Sequence, residues 1–192
     1  MALKEKRSNY VNKLSETFSP HANTKNAIPM KRYMKDKFEF FGIQSKLRRE
    51  LQREFMKKDN LPALDQVEEI VKELWELPQR EFQYFAMELL EKYVKKVDKE
   101  IVSLFEYMIV TKSWWDTVDM IAARLVGPLF SRFNELIVPY TEKWMYYGDM
   151  WLQRSAILFQ LKYKKETDTE LLFNYIQALS DSREFFIQKA IG

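Results

Sequence analysis

Leu64-Asp-Gln-Val-Glu-Glu-Ile-Val-Lys-Glu-Leu-Trp75 brings an apolar residue back every three or four positions, with carboxylates between them. That is the period of one buried face of an α-helix. The same period returns in Leu171-Leu-Phe-Asn-Tyr-Ile-Gln-Ala-Leu179. Outward from these two stretches, helices are predicted almost throughout, at about 6–18, 28–37, 44–58, 63–76, 79–96, 98–111, 113–126, 128–147, 149–165, 167–180 and 182–192. Pro29, Pro78, Pro128 and Pro139 mark helix starts or breaks, and Asn60, Asp149 and Ser182 stand where N-caps are expected. Nothing reads as a strand array, and 4 Gly in 192 residues argue against a turn-rich β fold.

A shift of 35 residues aligns the chain with itself. Gln83, Val118, Gln153 and Gln188 fall in one register, followed by Tyr84, Asp119, Arg154 and Lys189. Phe82 and Leu152 precede them, and Ala86, Ile121, Ala156 and Ile191 follow. A constant spacing of this size implies a helix-pair repeat that stacks into a superhelix, so that equivalent positions line up along a concave face. The tetratricopeptide signature of Trp, Gly and Pro is missing, whereas HEAT and armadillo units are nominally longer. The fold expected is all-α: a solenoid of irregular HEAT-like helix pairs with a concave basic face, residues 1–192 forming one domain, with Asp119 and Arg154 neighbours on one surface.

With no Cys there is neither a disulfide framework nor a thiolate metal site, which fits a reducing compartment. Met1-Ala-Leu-Lys-Glu-Lys-Arg7 contains no apolar h-region, and no apolar run is long enough to span a membrane. A cytoplasmic protein without a membrane partner is expected. Residues 1–60 hold 15 Lys and Arg against 7 Asp and Glu, a balance of +8; the remainder holds 16 against 21, or −5, for a net +3. Lys31, Arg32, Lys35 and Lys37, then Lys46, Arg48, Arg49 and Arg53, form two basic stretches suited either to phosphates or to an ordinary solvated helix surface.

Residues 111–119 read Thr-Lys-Ser-Trp-Trp-Asp-Thr-Val-Asp. Ser113 followed by Asp116 is a capping-box pattern, which predicts a helix with Ser113 as N-cap. Trp114, Val118, Ile121 and Leu125 then form an apolar stripe, and Trp115 and Asp119 lie one turn apart beside it. A carboxylate next to an indole at the edge of a buried stripe is costly unless paired or used. Arg154, between Met150, Ile157 and Leu161, needs an anion, either Asp119 as a structural pair or a phosphate.

Pro29-Met-Lys-Arg-Tyr-Met-Lys35, Phe41-Gly-Ile-Gln44, Glu73-Leu-Trp-Glu-Leu-Pro78, Arg80-Glu-Phe-Gln83, Val110 to Asp119, Trp151-Leu-Gln-Arg154 and Phe185-Phe-Ile-Gln-Lys-Ala-Ile-Gly192 together resemble the AlkD-type DNA alkylation repair family, from about residue 10 to the end. The resemblance implies a HEAT-like glycosylase that removes cationic alkylated purines, such as 7-methylguanine and 3-methyladenine, from double-stranded DNA. Asp119 matches the family's catalytic aspartate and Trp115 its lesion-side tryptophan. Arg154 matches the arginine beside them at the DNA backbone, and Tyr33 the tyrosine near the lesion strand. Gln44, Lys112 and, by register, Lys189 fall where contacts with DNA are expected. No metal, small-molecule cofactor or second subunit is implied. The family pattern continues past Gly192 with a second lesion-side tryptophan, so a chain truncated before its last repeat is expected.

Other chemistry is thin. His21 is the only histidine and no Gly-rich phosphate loop is present. Tyr33, Phe40, Phe41, Phe185 and Phe186 read as core more readily than as stacking platforms, and Trp75 and Trp144 as packing. The alternative to a glycosylase is a non-catalytic helical-repeat module that binds DNA or protein.

Overall fold

The computed structural model describes residues 8–192, and those residues are all-helical apart from turns and one isolated bridge between Glu39 and Gln79. The chain divides into two compact units, Met1–Leu90 and Glu91–Gly192. Its α-helices are α1 (Asn9–Phe18), α2 (Thr24–Tyr33), α3 (Ser45–Phe55), α4 (Val67–Glu76), α5 (Arg80–Tyr93), α6 (Val102–Val110), α7 (Trp115–Ile121), α8 (Gly127–Arg132), α9 (Ile137–Tyr147), α10 (Met150–Leu158), α11 (Thr169–Ala178) and α12 (Phe185–Ile191). No helix among the described residues is long and apolar enough to cross a membrane.

In the first unit the apolar stripe of residues 64–75 turns inward. Val67, Ile70, Val71, Leu74 and Trp75 of α4 are buried, together with Val11, Leu14 and Phe18 of α1 and Phe82, Phe85 and Ala86 of α5. In the second unit Phe105, Met108, Ile109, Val118, Ile121, Leu125, Phe130 and Trp144 are fully buried. The Phe130 and Trp144 rings stack with centroids 5.8 Å apart, so Trp75 and Trp144 are packing residues in both units. Gly127 is needed for closeness: a Cβ there would lie 2.4 Å from the Phe159 carbonyl oxygen.

The 35-residue period is visible as a recurring hydrogen bond. Gln83 Nε2 donates to the carbonyls of Leu74, Trp75 and Leu77 at the end of α4. Gln153 Nε2 donates to Met145 O, and Gln188 Nε2 to Ser180 O and Ser182 O. Gln83 and Gln153 thus serve the last carbonyls of the preceding helix, which have no i+4 partner within it, and Gln188 serves carbonyls of the turn just past α11. At the Val118 position the side chain cannot donate, and Ser113 Oγ instead donates to Ile109 O at 2.7 Å. Contacts between layers follow the same period in the second unit. Arg132 reaches Val97 O across 35 residues, Thr141 meets Tyr175 across 34, and Tyr163 donates to Gly127 O across 36.

Several expected boundaries move. The span 6–18 begins at Asn9, capped by Ser8, and its first two residues lie outside the described part. The single helix expected over 128–147 is two, because Phe133 leaves helical geometry at φ −129°, ψ 70°. Pro139, in the first turn of α9, was the signal for that second start. Helix α2 starts at Thr24, since Asn23 caps it by accepting from Asn26 N, and Pro29 lies inside it. Ser113 is not the N-cap of α7; extended Trp114 holds that place, and the Ser113 hydroxyl looks back to α6. Asn60 donates to Phe55 O instead of capping a helix, and Glu184 rather than Ser182 precedes α12. Asp149 does cap α10, accepting from Trp151 N and Leu152 N.

Gln83 is fully buried, whereas Gln188 is exposed. Replacing Gln83 by Ala is expected to cost about 1–3 kcal/mol in urea unfolding, and Gln188→Ala less than about 1 kcal/mol, because water replaces only the second donor. Equal losses would overturn this account of the repeat.

Candidate functional site

The turn between α6 and α7 contains Lys112 in the left-handed region, at φ 51°, an unusual conformation for a side chain with a Cβ. Trp114 follows extended, and α7 begins. Val118 and Ile121 are buried without residual exposure, which fixes the rotation of α7 and brings Trp115 and Asp119 to its flank. On α10, Leu152, Ser155, Ala156 and Ile157 are buried, and Arg154 among them is only 6% exposed.

Asp119 and Arg154 meet edge to edge. Arg154 Nε donates to Asp119 Oδ1 at 2.7 Å and Nη2 to Oδ2 at 2.8 Å, the two-point geometry of a guanidinium on a carboxylate. Its remaining Nη1 donates to the carbonyl oxygen of Phe186 on α12. One buried side chain therefore joins α7, α10 and α12. The pair is lopsided, for the Asp119 side chain remains 34% exposed. Each carboxylate oxygen has used one acceptor direction on the arginine and retains another.

Behind this pair stands an aromatic cluster. Trp114, Trp151 and Phe186 form a triangle with centroid separations of 5.8, 5.0 and 4.9 Å, and the Arg154 guanidinium lies 5.9 Å from the Phe186 ring centre. Trp115 is half-buried one turn before Asp119. Lys189 is exposed on α12 with Nζ 6.0 Å from the ring centre of Phe185, and Phe185 is itself exposed instead of core. The sequence reading missed Phe186, assigning it to the core, and treated Trp114 only as part of a stripe. A signal existed: Trp151 and Phe186 are 35 residues apart, in the repeat register.

Residues 14–192 match the family described as DNA alkylation repair enzyme. The chain belongs to this family. A solved structure described as "Predicted DNA alkylation repair enzyme from Enterococcus faecalis" is similar, with 28% identity and a TM-score of 0.79, over 88% of this chain and 78% of that one. No curated protein matches.

This DNA alkylation repair protein carries its two remaining candidates in the first unit. Tyr33, at the end of α2, is 68% exposed rather than core, and Gln44 is exposed at the N-cap position of α3. Gln44 follows a loop with little freedom. Gly42 takes φ 86°, and a Cβ there would stand 2.1 Å from the Asn23 carbonyl oxygen. Buried Glu81 accepts from the backbone N–H groups of Phe41, Gly42 and Ile43 at 3.1, 3.0 and 3.2 Å. Glu81 was legible only as a letter of the Arg80–Gln83 motif. Among the described residues, no cluster of His, Cys, Asp and Glu is arranged to hold a metal ion.

Burial pushes the Glu81 carboxyl above its ordinary range, against its own N–H and those of Phe41, Ile43 and Gly42, which favour the charged form. The folded chain thus keeps this proton at pH values where the unfolded chain has released it. Its contribution to stability is complete below the ordinary Glu range and is lost as pH rises through the raised folded value. The unfolding free energy of the wild type relative to Glu81→Gln should accordingly fall as pH is raised from about 4. Urea titrations at several pH values check this, and a pH-independent difference overturns it.

Proposed function

We propose that this DNA alkylation repair protein is a glycosylase that hydrolyses the N-glycosidic bond of cationic alkylated purines, such as 7-methylguanine and 3-methyladenine, in double-stranded DNA. Family membership supports the repair role and the DNA substrate. The observation that carries the finer reading is a carboxylate gripped at two points by a buried arginine and still one-third open to solvent beside Trp115.

An alkylated purine that carries a positive charge leaves as a neutral base, the bonding electrons of the C1′–N bond passing to its ring nitrogen. No general acid is then needed to activate the leaving group. What remains is positive charge on the sugar, and a fixed carboxylate beside it offers electrostatic stabilisation without reorganisation. Water adds at C1′ and loses its proton to Asp119 or solvent. One carboxylate suffices, unlike the pair used by most glycoside hydrolases. Trp115 adds a cation–π contribution of about 0.5–1 kcal/mol toward the lesion or sugar. Arg154, expected at the DNA backbone, is assigned instead to positioning, because its side chain is buried and its donors are directed at Asp119 and the Phe186 carbonyl. Lys112, Lys189, Tyr33 and Gln44 are assigned to DNA contact.

Release of free base from a 7-methylguanine duplex, followed by mass spectrometry, tests this reading. Asp119→Asn is expected to lower release by about 10²-fold or more while DNA binding persists. Arg154→Lys, which keeps the charge but not the fork, should lower turnover by up to about 10²-fold through misorientation of the carboxylate. Unchanged turnover in Asp119→Asn sinks the assignment. The ion pair itself is what favours the second reading, a non-catalytic DNA-binding module in which Asp119 is only Arg154's counter-charge; salt-sensitive DNA binding with no base release by the wild type would establish it.

A further inference from the structure

Three connections lead into the three helices that Arg154 joins: 111–114 into α7, 148–149 into α10 and 180–184 into α12. The 35-residue register sets Thr111 and Lys112 of the first connection against Tyr146 and Tyr147, the last two residues of α9. The first and second turns share a device, a left-handed residue, Lys112 at φ 51° in one and Gly148 at φ 68° in the other. Gly148 has open space around the position of a Cβ, so its role is to end α9 there.

The second turn is pinned on both sides. Gln153 holds the Met145 carbonyl, Asp149 is turned onto the N–H groups of Trp151 and Leu152, and Met145 packs on the cluster of Ile157, Leu179 and Ile187. Trp144, just before, is wholly buried. Between these anchors Tyr146 and Tyr147 are 88% and 67% exposed, their rings edge to face with centroids 6.0 Å apart. Folding does not use them. Two adjacent aromatic rings held in water at an anchored helix end form a patch of the kind that marks a binding surface. Tyrosine also contributes broad contact at little entropic cost.

The charges around the pair decide what it offers. Asp149 follows the pair two residues on; Lys112 lies one period before Tyr147, and Asp181, Arg183 and Glu184 about one period after the pair, with Lys189 further along α12. These nearly cancel, so the surface is neither a phosphate clamp nor repulsive to a polyanion. Its distinctive property is ring area, in register with the turn that precedes Asp119.

We propose that Tyr146 and Tyr147 form an aromatic contact with the bound DNA strand, packing their rings on deoxyribose and base faces one repeat along from the segment that leads into α7. This inference rests on the DNA reading above and adds a binding element that is not electrostatic. Ring stacking on a nucleobase is sequence-tolerant, whereas phosphate contacts set the salt dependence of binding.

Anisotropy of a labelled duplex carrying a tetrahydrofuran abasic-site analogue, titrated at several salt concentrations, provides the test. The double variant Y146A/Y147A should bind about tenfold or more weakly at every salt concentration, with the slope of log K against log [salt] unchanged. Y146F/Y147F should stay within about twofold of the wild type, since the rings and not the hydroxyls make the contact. Lys112→Ala serves as the contrast, with a slope smaller by about 1. Helical content is expected to be unaltered, as both rings are exposed. Wild-type affinity in the Ala variant, a changed slope, or an equal loss in the Phe variant overturns the inference while the glycosylase reading stands. Failure of the wild type to bind DNA at all removes both.

Discussion

A guanidinium that is 6% exposed must place its donors within the protein, because an unpaired buried cation is among the costliest defects a fold can contain. Arg154 meets that demand with two oxygens of Asp119 and one carbonyl of Phe186. Three helices are thereby registered on one another through a planar group that tolerates little change in angle. The aromatic triangle of Trp114, Trp151 and Phe186 surrounds the same junction and supplies the apolar packing that a charge pair lacks. The arrangement also explains why Lys could not substitute for Arg without loss, since an ammonium is a point donor and cannot reach all three acceptors in one plane.

The recurring glutamine is the same solution applied to backbone. Each helix pair ends its first helix against the second, and the last carbonyls of that first helix are then shielded from water with no partner of their own. A glutamine amide from the second helix reaches them in two registers and a serine hydroxyl from the turn in a third, while exposed Gln188 holds the carbonyls of the turn after α11. A stacked repeat needs this correction once per layer, so the period of the polar residue carries as much structural meaning as the period of the apolar ones.

Helix type and the 35-residue period were legible in the sequence because both arise from local periodicity, which burial reinforces at every turn. The meeting of Asp119 with Arg154 was legible for the same reason, as residues one period apart. What escaped was decided by competition between neighbours. Ser113 has the residue type of an N-cap, yet the bare carbonyl of Ile109 lies within its reach and takes the hydroxyl, leaving Trp114 to begin α7. Gly127 to Tyr147 is apolar enough for one helix, and only the geometry at Phe133, with Pro139 just beyond, divides it. Tyr33 and Phe185 carry no mark in the sequence that separates an exposed ring from a buried one, since hydrophobicity is the same in both. Glu81 is the sharpest case: a carboxylate in an amphipathic helix reads as surface, but the three N–H groups of a loop forty residues earlier give it a buried place.

In the proposed glycosylase, Asp119 carries the tension that a single-carboxylate site must resolve. A carboxylate bound to arginine is partly neutralised, which weakens its pull on a developing cation. A carboxylate without a partner is free to rotate and must be reorganised at the moment of reaction, which also weakens it. Holding both oxygens from behind by one planar group, while a third of the side chain faces solvent, fixes direction and leaves acceptor capacity on the open side. The remaining charge is then available in one direction only, beside Trp115. For the proposed substrate, which already bears its own positive charge and departs without protonation, a modest field in a fixed direction suffices.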